Sequence, residues 1–317
     1  MRIVITGSLA YDHIMDFPGY FNEHILADRL PKINVSFLVS SLKKLRGGCA
    51  SNIAYSLALL GESPWIMGTV GEDFGEYRTW LESNGVVTDL IRVIPGEFTA
   101  SCFVTTDRDN NQITGFYPGA MRYAHTLSFQ DVNPQEIHIA VISANDPEAM
   151  NKYAKECKEF RIPYVYDPGH QIPRLSPEEL LFGIKGSEVT IVNSYELGMI
   201  GSRTGLSEAE IARQTNMLIV TYDSKGSVIR TNGSVHKIPP ARADRVVDPT
   251  GAGDAYRAGI LKGILHGYSH EEMGLLASVA AVYVVESVGT NTHAFTREEF
   301  EKRFKENFSK SSPLALV

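Results

Sequence analysis

Short apolar runs and helical periods alternate along most of this chain. "RIVITG" is a β-branched run closed by Gly7, which predicts a buried first strand. "GGCASNIAYSLALLG" passes from small residues to apolar positions at helical spacing and stops at Gly61, a loop leading into a helix. "SPWIMGTVG" predicts a strand and "EDFGEYRTWLESNG" a helix closed by Gly85. From Glu136 onward the alternation is regular. Strands are expected at "IHIAVIS", "PYVYD", "EVTIVN" and "MLIVTYD", and helices at "PEAMNKYAKECKEF", "SPEELLFGI", "SYELGMI" and "EAEIARQ". Ser176 is placed to cap its helix, with Pro177 in the first turn. "GSVIRT" and "SVHKIP" read as a hairpin across Asn232 and Gly233. Three helices follow, over about 252–266, 270–287 and 296–304. Strands alternating with helices predict parallel βαβ units and a doubly wound, mainly parallel α/β sheet flanked by helices.

Two segments break this rhythm. Residues 14–46 form a long stretch without helical period. Residues 99–117 read as two strands, "TASCFVTT" and "QITGFY", joined across "DRDNN". Together they predict a small β-sheet inserted beside the main domain as a lid. The alternative is that they are edge strands of the main sheet. Otherwise residues 1–317 read as a single domain, with no internal repeat.

Composition narrows the chemistry. A hydrophobic share of 43% supports a sizeable core. The net charge of -7 argues against a nucleic-acid partner, which calls for a basic face, but leaves room for a local phosphate pocket. Cys49, Cys102 and Cys157 cannot complete a disulfide framework and hold no CxxC pair, so a cytoplasmic protein is expected. "MRIVITGSLAYD" lacks the features of a signal peptide, and no run approaches the roughly 18 apolar residues of a membrane span. No membrane partner is expected. The histidines are scattered without HExxH spacing, which argues against a zinc site.

The chemistry concentrates in "DPTGAGDAYRAG", residues 248–259. Small side chains at Gly251, Ala252 and Gly253 let backbone N–H groups converge. The helix that follows adds its unsatisfied donors and dipole, so the turn suits an anion such as phosphate. The bland alternative is a structural turn whose glycines supply unusual φ angles. Asp254 stands at the mouth of this hole, where it would repel a resting phosphate. Its use there is to take a proton from a hydroxyl attacking that phosphate, against the alternative of a simple helix cap. GxxxxGK[ST] is absent, and so is GxGxxG after the first strand, which excludes a Walker nucleotide site and an NAD-dependent Rossmann enzyme.

Asp248, Thr250, Gly251, Ala252, Gly253 and Asp254 match D-x-T-G-A-G-D, and the chain thereby resembles the ribokinase/PfkB family of carbohydrate and nucleoside kinases. The likeness extends along nearly the whole chain. It implies a ribokinase-like fold, ATP as phosphate donor, and Mg²⁺. It places Asp12 and Asn52 on substrate sugar hydroxyls, and Gly47 and Gly48 at the lid hinge. For the glycines and Asn52 the alternative is capping and close packing. Asn193 and Glu196 match N-x-x-E, which would order a water-coordinated Mg²⁺ near the phosphates, or simply cap a helix. Thr221 and Gly226 match the nucleotide-phosphate loop T-x-G-x-x-G, with Asp223 where glycine is usual. "DPGHQ" departs from the usual N-P-x-R region, and His170 reads as a surface loop residue. The resemblance also brings in a K⁺ ion beside the anion hole, with Asp248 and Thr250 at participating positions.

Within the family, "DAYRAG" and "VESVGTNTHAFTREEF" look most similar to adenosine kinases and other nucleoside kinases. The resemblance thus implies transfer of the γ-phosphate to the 5′-hydroxyl of a ribonucleoside, with adenosine leading. A sugar kinase acting on ribose or fructose is the alternative. A catalytically silent sugar or nucleotide binder is a third reading, against which the intact glycine turn, Asp254 and the Asn193/Glu196 pair argue. Phe103, Phe116 and Tyr117 could flank a purine or fill the core. The resemblance leaves a monomer or a homodimer through the lid.

Overall fold

The computed structural model describes residues 2–25 and 34–316. Part of the 14–46 segment, residues 26–33, lies outside the described residues.

The chain begins with β1 (Arg2–Thr6), β2 (Ala10–Asp16), the short α1 (Phe21–His24), β3 (Ser41–Gly47) and α2 (Cys49–Leu59). It continues through β4 (Trp65–Val70), α3 (Gly75–Ser83), β5 (Ile91–Val93), β6 (Ala100–Thr106) and β7 (Gln112–Tyr117). The regular part follows as β8 (Ile137–Ile142), α4 (Pro147–Phe160), β9 (Tyr164–Tyr166), α5 (Pro177–Ile184), β10 (Val189–Asn193), α6 (Ser194–Thr204), α7 (Glu208–Ala212) and β11 (Met217–Thr221). The hairpin β12 (Ser227–Thr231) and β13 (Ser234–Ile238) precedes α8 (Ala252–Leu265), α9 (His270–Val285) and α10 (Arg297–Phe308).

Among the described residues nine strands form one sheet in the order β13-β12-β11-β10-β9-β8-β1-β4-β5. Pairing is parallel from β11 to β5 and antiparallel only in the β11-β12-β13 corner. Alternation along each strand splits the core into two layers. Ile3, Ile5 and Ile191 join Ile53, Leu57, Ala255 and Leu276 from α2, α8 and α9 on one face. Val4, Val192 and Val220 join Met150, Leu180 and Leu197 from α4, α5 and α6 on the other. Ser176 caps α5 through a reciprocal pair with Glu179, with Pro177 in the first turn.

The remaining strands form a separate four-stranded sheet, β3-β2-β6-β7. They are not edge strands of the main sheet. The small sheet begins earlier than the expected segment from residue 14. β1 ends at Thr6, and "AYDHIMD" opens the small sheet at Ala10. Asp12 therefore sits on the small sheet. Beneath that sheet, Ala10, Ala100 and Met121 form a minor apolar cluster of their own. No helix among the described residues is long and apolar enough to cross a membrane.

Candidate active site

In an open parallel sheet the carboxyl ends of the strands are the natural ligand face. Here they deliver Ser8 after β1, Ser143 after β8, Asp167 after β9 and Asn193 at the end of β10. Helix α8 opens at the same face. Its cap, Gly251, has φ 84°, a left-handed angle that suits glycine. A Cβ there would stand 2.8 Å from Cβ of Thr290, so the turn also lies close against the 289–291 loop. Among the described hydrogen bonds none takes the amides of Gly251 or Gly253, as first-turn donors allow, whereas that of Ala252, expected to join them, donates to the Pro249 carbonyl at 3.2 Å and closes the turn. The turn thus presents free donors on the positive end of a 14-residue helix.

Asp254 lies in the first turn of α8 and is buried. Nδ2 of Asn52, on α2, donates to its Oδ2 at 2.8 Å. Burial pushes the carboxyl up to about 6, while Arg257 and the Asn52 amide pull it back. A carboxylate of that affinity can both hold and release a proton near neutrality. Asn291 reaches Oδ1 of Asn52 at 3.4 Å and the hydroxyl of Tyr77 at 3.3 Å. Tyr77 in turn donates to Oγ of Ser51 at 2.7 Å and lies 3.0 Å from the Gly47 carbonyl. This network was invisible in the sequence, where Tyr77 reads as one more apolar position of a helix.

Asp12 sits half-buried on β2, directly above Gly47, whose missing side chain leaves its carboxylate room. Burial first, and the charge of Asp248 second, push Asp12 up to about 6. Both oxygens of Asp248 accept backbone amides, from Thr250 at 2.9 Å and Gly289 at 3.1 Å. Asp248 thereby ties the start of the glycine turn to the loop after α9.

The small sheet faces this assembly with one side. Register places Leu45, Asp12, Cys102 and Phe116 on a single rung across β3, β2, β6 and β7, with side chains on the same face. Leu45 approaches Gly289, which orients this face toward the turn. Phe103 belongs to the opposite face, where it stacks on His13 at 4.7 Å, and Tyr117 shares that side. Of the three aromatics, only Phe116 shares the side of Asp12.

The Asn193/Glu196 pair forms a reciprocal capping box on α6. Oδ1 of Asn193 accepts from the Glu196 amide at 2.8 Å, and Oε2 of Glu196 accepts from the Asn193 amide at 2.8 Å. Oε1 of Glu196 has no partner among the described hydrogen bonds. Burial, then the nearby charge of Asp167, raise its carboxyl. Thr221 ends β11, and Gly226 takes φ 87° with the Ile238 carbonyl pressed against its α-carbon. Asp223 adopts φ 50°, the left-handed geometry that aspartate tolerates better than most residues. Ser227, the next residue after Gly226, meets the hydroxyl of Tyr256 on α8 at 2.6 Å, so this loop reaches the same helix.

Two residues of the quoted stretches are assigned no role in the sequence. Asp167 is buried, and its Oδ1 accepts from Nη2 of Arg257 at 2.5 Å. Asp167 opens "DPGHQ" and Arg257 lies in "DAYRAG", but neither is given a role there.

Residues 5–297 match the pfkB family carbohydrate kinase. The chain belongs to that family. This pfkB-family kinase is a phosphotransferase that acts on a hydroxyl group. It is 32% identical over 308 residues to a nucleoside kinase of Methanocaldococcus jannaschii, covering 96% of this chain and 97% of the relative. A nucleoside kinase of Methanothermobacter thermautotrophicus is 30% identical over 318 residues, covering 98% of each chain. The solved structure of Burkholderia thailandensis nucleoside kinase in complex with inosine superposes with a TM-score of 0.88 at 38% identity, covering 98% of this chain and 99% of that one. The kinase shares with these structures the large, mainly parallel sheet and the smaller separate sheet.

Proposed function

We propose that this kinase transfers the γ-phosphate of ATP to the 5′-hydroxyl of a purine ribonucleoside, adenosine first. The observation that carries the reading is the rung shared by Asp12 and Phe116. Two strand spacings separate them, about 10 Å. That span suits a ribose hydroxyl on the carboxylate and a base on the ring. The nucleoside kinases to which the chain is similar, one of them bound to inosine, support the same substrate class.

In this reading Asp12 and Asn52 accept and donate hydrogen bonds to the ribose. Oδ1 of Asp254, the oxygen left free by Asn52, takes the 5′-hydroxyl proton. The amides of Gly251 and Gly253 receive the charge on the transferred group. Thr221 and Gly226 line the path of the donor phosphates. Mg²⁺, when bound, neutralises phosphate oxygens. The free Oε1 of Glu196 fits a water of its shell, with Asn193 beside it. The oxygens of Asp248 keep lone pairs beyond their two amides, and with Thr250 they fit K⁺.

The test is a phosphorylation panel of adenosine, inosine, ribose and fructose, run in K⁺ and in Na⁺. Nucleosides should be phosphorylated and K⁺ should raise the rate. Phosphorylation of ribose or fructose with adenosine and inosine untouched would replace the nucleoside reading by a sugar kinase. Phe116→Ala should raise the KM for adenosine at least about tenfold, from a stacking loss of roughly 1–3 kcal/mol. Phe103→Ala, on the other face, should leave it near wild type. Equal effects of the two would mean that Phe116 only fills a seam.

The small sheet acts in this reading as a lid, closing from the strands over residues 10–16, 41–47, 100–106 and 112–117. Hydrogen exchange should then slow in these strands with nucleoside present, more than with ATP alone. Protection equal with either ligand would remove the closing role.

A further inference from the structure

Behind the glycine turn lies a buried charge cluster that no motif assigned. Arg257 is on α8, one turn after Asp254, and its side chain leans back toward the helix start. Its guanidinium thereby covers Gly253, where a Cβ would stand 2.6 Å from Nη1. Nη2 donates to Oδ1 of Asp167 at 2.5 Å, whereas Nη1 stays 3.9 Å from Oδ1 of Asp254. Asp167 is itself held, its Oδ2 accepting from Oγ of Ser143 at 2.6 Å. The side chains of Asp167 and Arg257 are only 2% and 12% exposed.

The asymmetry matters. A guanidinium presents a rigid fork that suits bidentate pairing with one carboxylate. Such a pair with Asp254 would occupy the oxygen that must receive a proton. Here Asp167 takes the short bond and holds the fork back. Asp254 faces a fixed positive charge with its Oδ1 uncovered. We propose that Asp167 and Arg257 are positioning residues for phosphoryl transfer: Asp167 clamps Arg257 at the distance from which it orients the Asp254 carboxylate without capping it. This rests on the reading of Asp254 as the base.

The other groups that bear on Asp254 are few. His170, in the turn after β9, acts in the same sense as Arg257, and Asp167 in the opposite sense. The thiol of Cys49, at the start of α2, is pushed up by burial. Glu196 on α6 acts on Arg257.

The experiment is the pH profile of kcat/KM between about pH 5 and 9 for wild type, R257M, R257K, D167N and D254N, with thermal unfolding of each. The wild-type acid limb should fall near pH 6. Because Asp12 is raised to the same range, every limb is compared in kcat at saturating nucleoside as well, where substrate holds Asp12. In R257M it should rise by about one pH unit or more, since a fixed charge is lost. R257K should return it to within about half a unit, with kcat still lowered because an ammonium lacks the fork. In D167N the freed guanidinium should close on Asp254, so the limb should fall and kcat with it. Limbs that stay at the wild-type position in R257M and D167N, or that move the same way, overturn the proposal. If R257M does not fold, the double variant R257M/D167N removes the pair without leaving a buried orphan charge. Its limb should lie above wild type, and a wild-type limb there overturns the proposal equally. Wild-type turnover in D254N would instead remove the base assignment itself. A silent D254N together with unmoved limbs would remove only the role of Arg257 and Asp167.

Discussion

Asp254→Asn is expected to lower kcat by about 10²–10⁴-fold, the usual loss when a general base is removed. The asparagine keeps the shape of the side chain and its contact with Asn52, so nucleotide binding should persist. Stability should move the other way. The folded protein raises this carboxyl from 3.8 to about 6 through burial, so it favours the protonated form. Ionising the group therefore costs fold stability that the unfolded chain does not lose. That cost is absent below about pH 4, grows as pH rises, and is complete above about pH 6, where it amounts to roughly 3 kcal/mol. At pH 7 the variant should thus unfold at the wild-type temperature or higher, and the difference should vanish below about pH 4. Thermal scans across that range with steady-state kinetics check both halves. Turnover near wild type would sink the catalytic half. Clear destabilisation at pH 7 would sink the claim that the ionised carboxyl is held at a cost.

Adjacent glycines give the second large effect, and they should fail differently. Gly48 has φ 99°, and a Cβ there would lie 2.5 Å from the Ser8 carbonyl and 2.8 Å from the Ala10 amide. Both neighbours are backbone and cannot turn aside. Left-handed strain of about 1–2 kcal/mol and overpacking of about 1–3 kcal/mol predict that Gly48→Ala loses roughly 2–5 kcal/mol of stability. Gly47 instead faces the end of the Asp12 side chain. Gly47→Ala should fold nearly as well, because Asp12 can rotate away. If Asp12 holds the sugar as proposed, that hydrogen bond would be lost, raising KM by roughly 10–100-fold for a bond to a charged group. Denaturant unfolding and KM measured on both variants decide the matter. A stability loss in Gly47→Ala equal to that in Gly48→Ala would show that Asp12 is locked in place.

The regular half of the chain was legible because each of its elements declares itself locally. Ser176 with Glu179, and Asn193 with Glu196, announce helix starts within four residues. The glycine turn likewise carries its geometry in its own small side chains. What stayed hidden depends on partners far along the chain. The start of the small sheet at Ala10 stayed unmarked, because nothing between Gly7 and Leu9 reveals that the chain passes to a second sheet. Phe103 and Phe116 look equivalent until the β6–β7 register puts them on opposite faces. Arg257 looks like a polar residue on a surface helix, since its partner Asp167 lies 90 residues away. The capping bonds of Asn193 and Glu196 are local, but the charge that Asp167 places near Glu196 is not.

The hydrogen bond from Asn52 to Asp254 joins residues 202 apart, and β1 lies between β4 and the much later β8. A ribosome working at about 5–20 residues per second exposes Asn52 roughly 10–40 seconds before its partner emerges. Until β8 emerges at residue 142 one flank of β1 has no neighbour, and throughout the interval the apolar side of α2 waits for α8. The emerging chain is therefore an open, adhesive intermediate, dependent on whatever shields such surfaces during translation. A chain interrupted before residue 252 carries both sugar-binding candidates but lacks Gly253, Asp254 and the helix that follows them. Phosphotransfer accordingly reports on the finished molecule and never on a fragment, which makes it a stringent assay of complete folding.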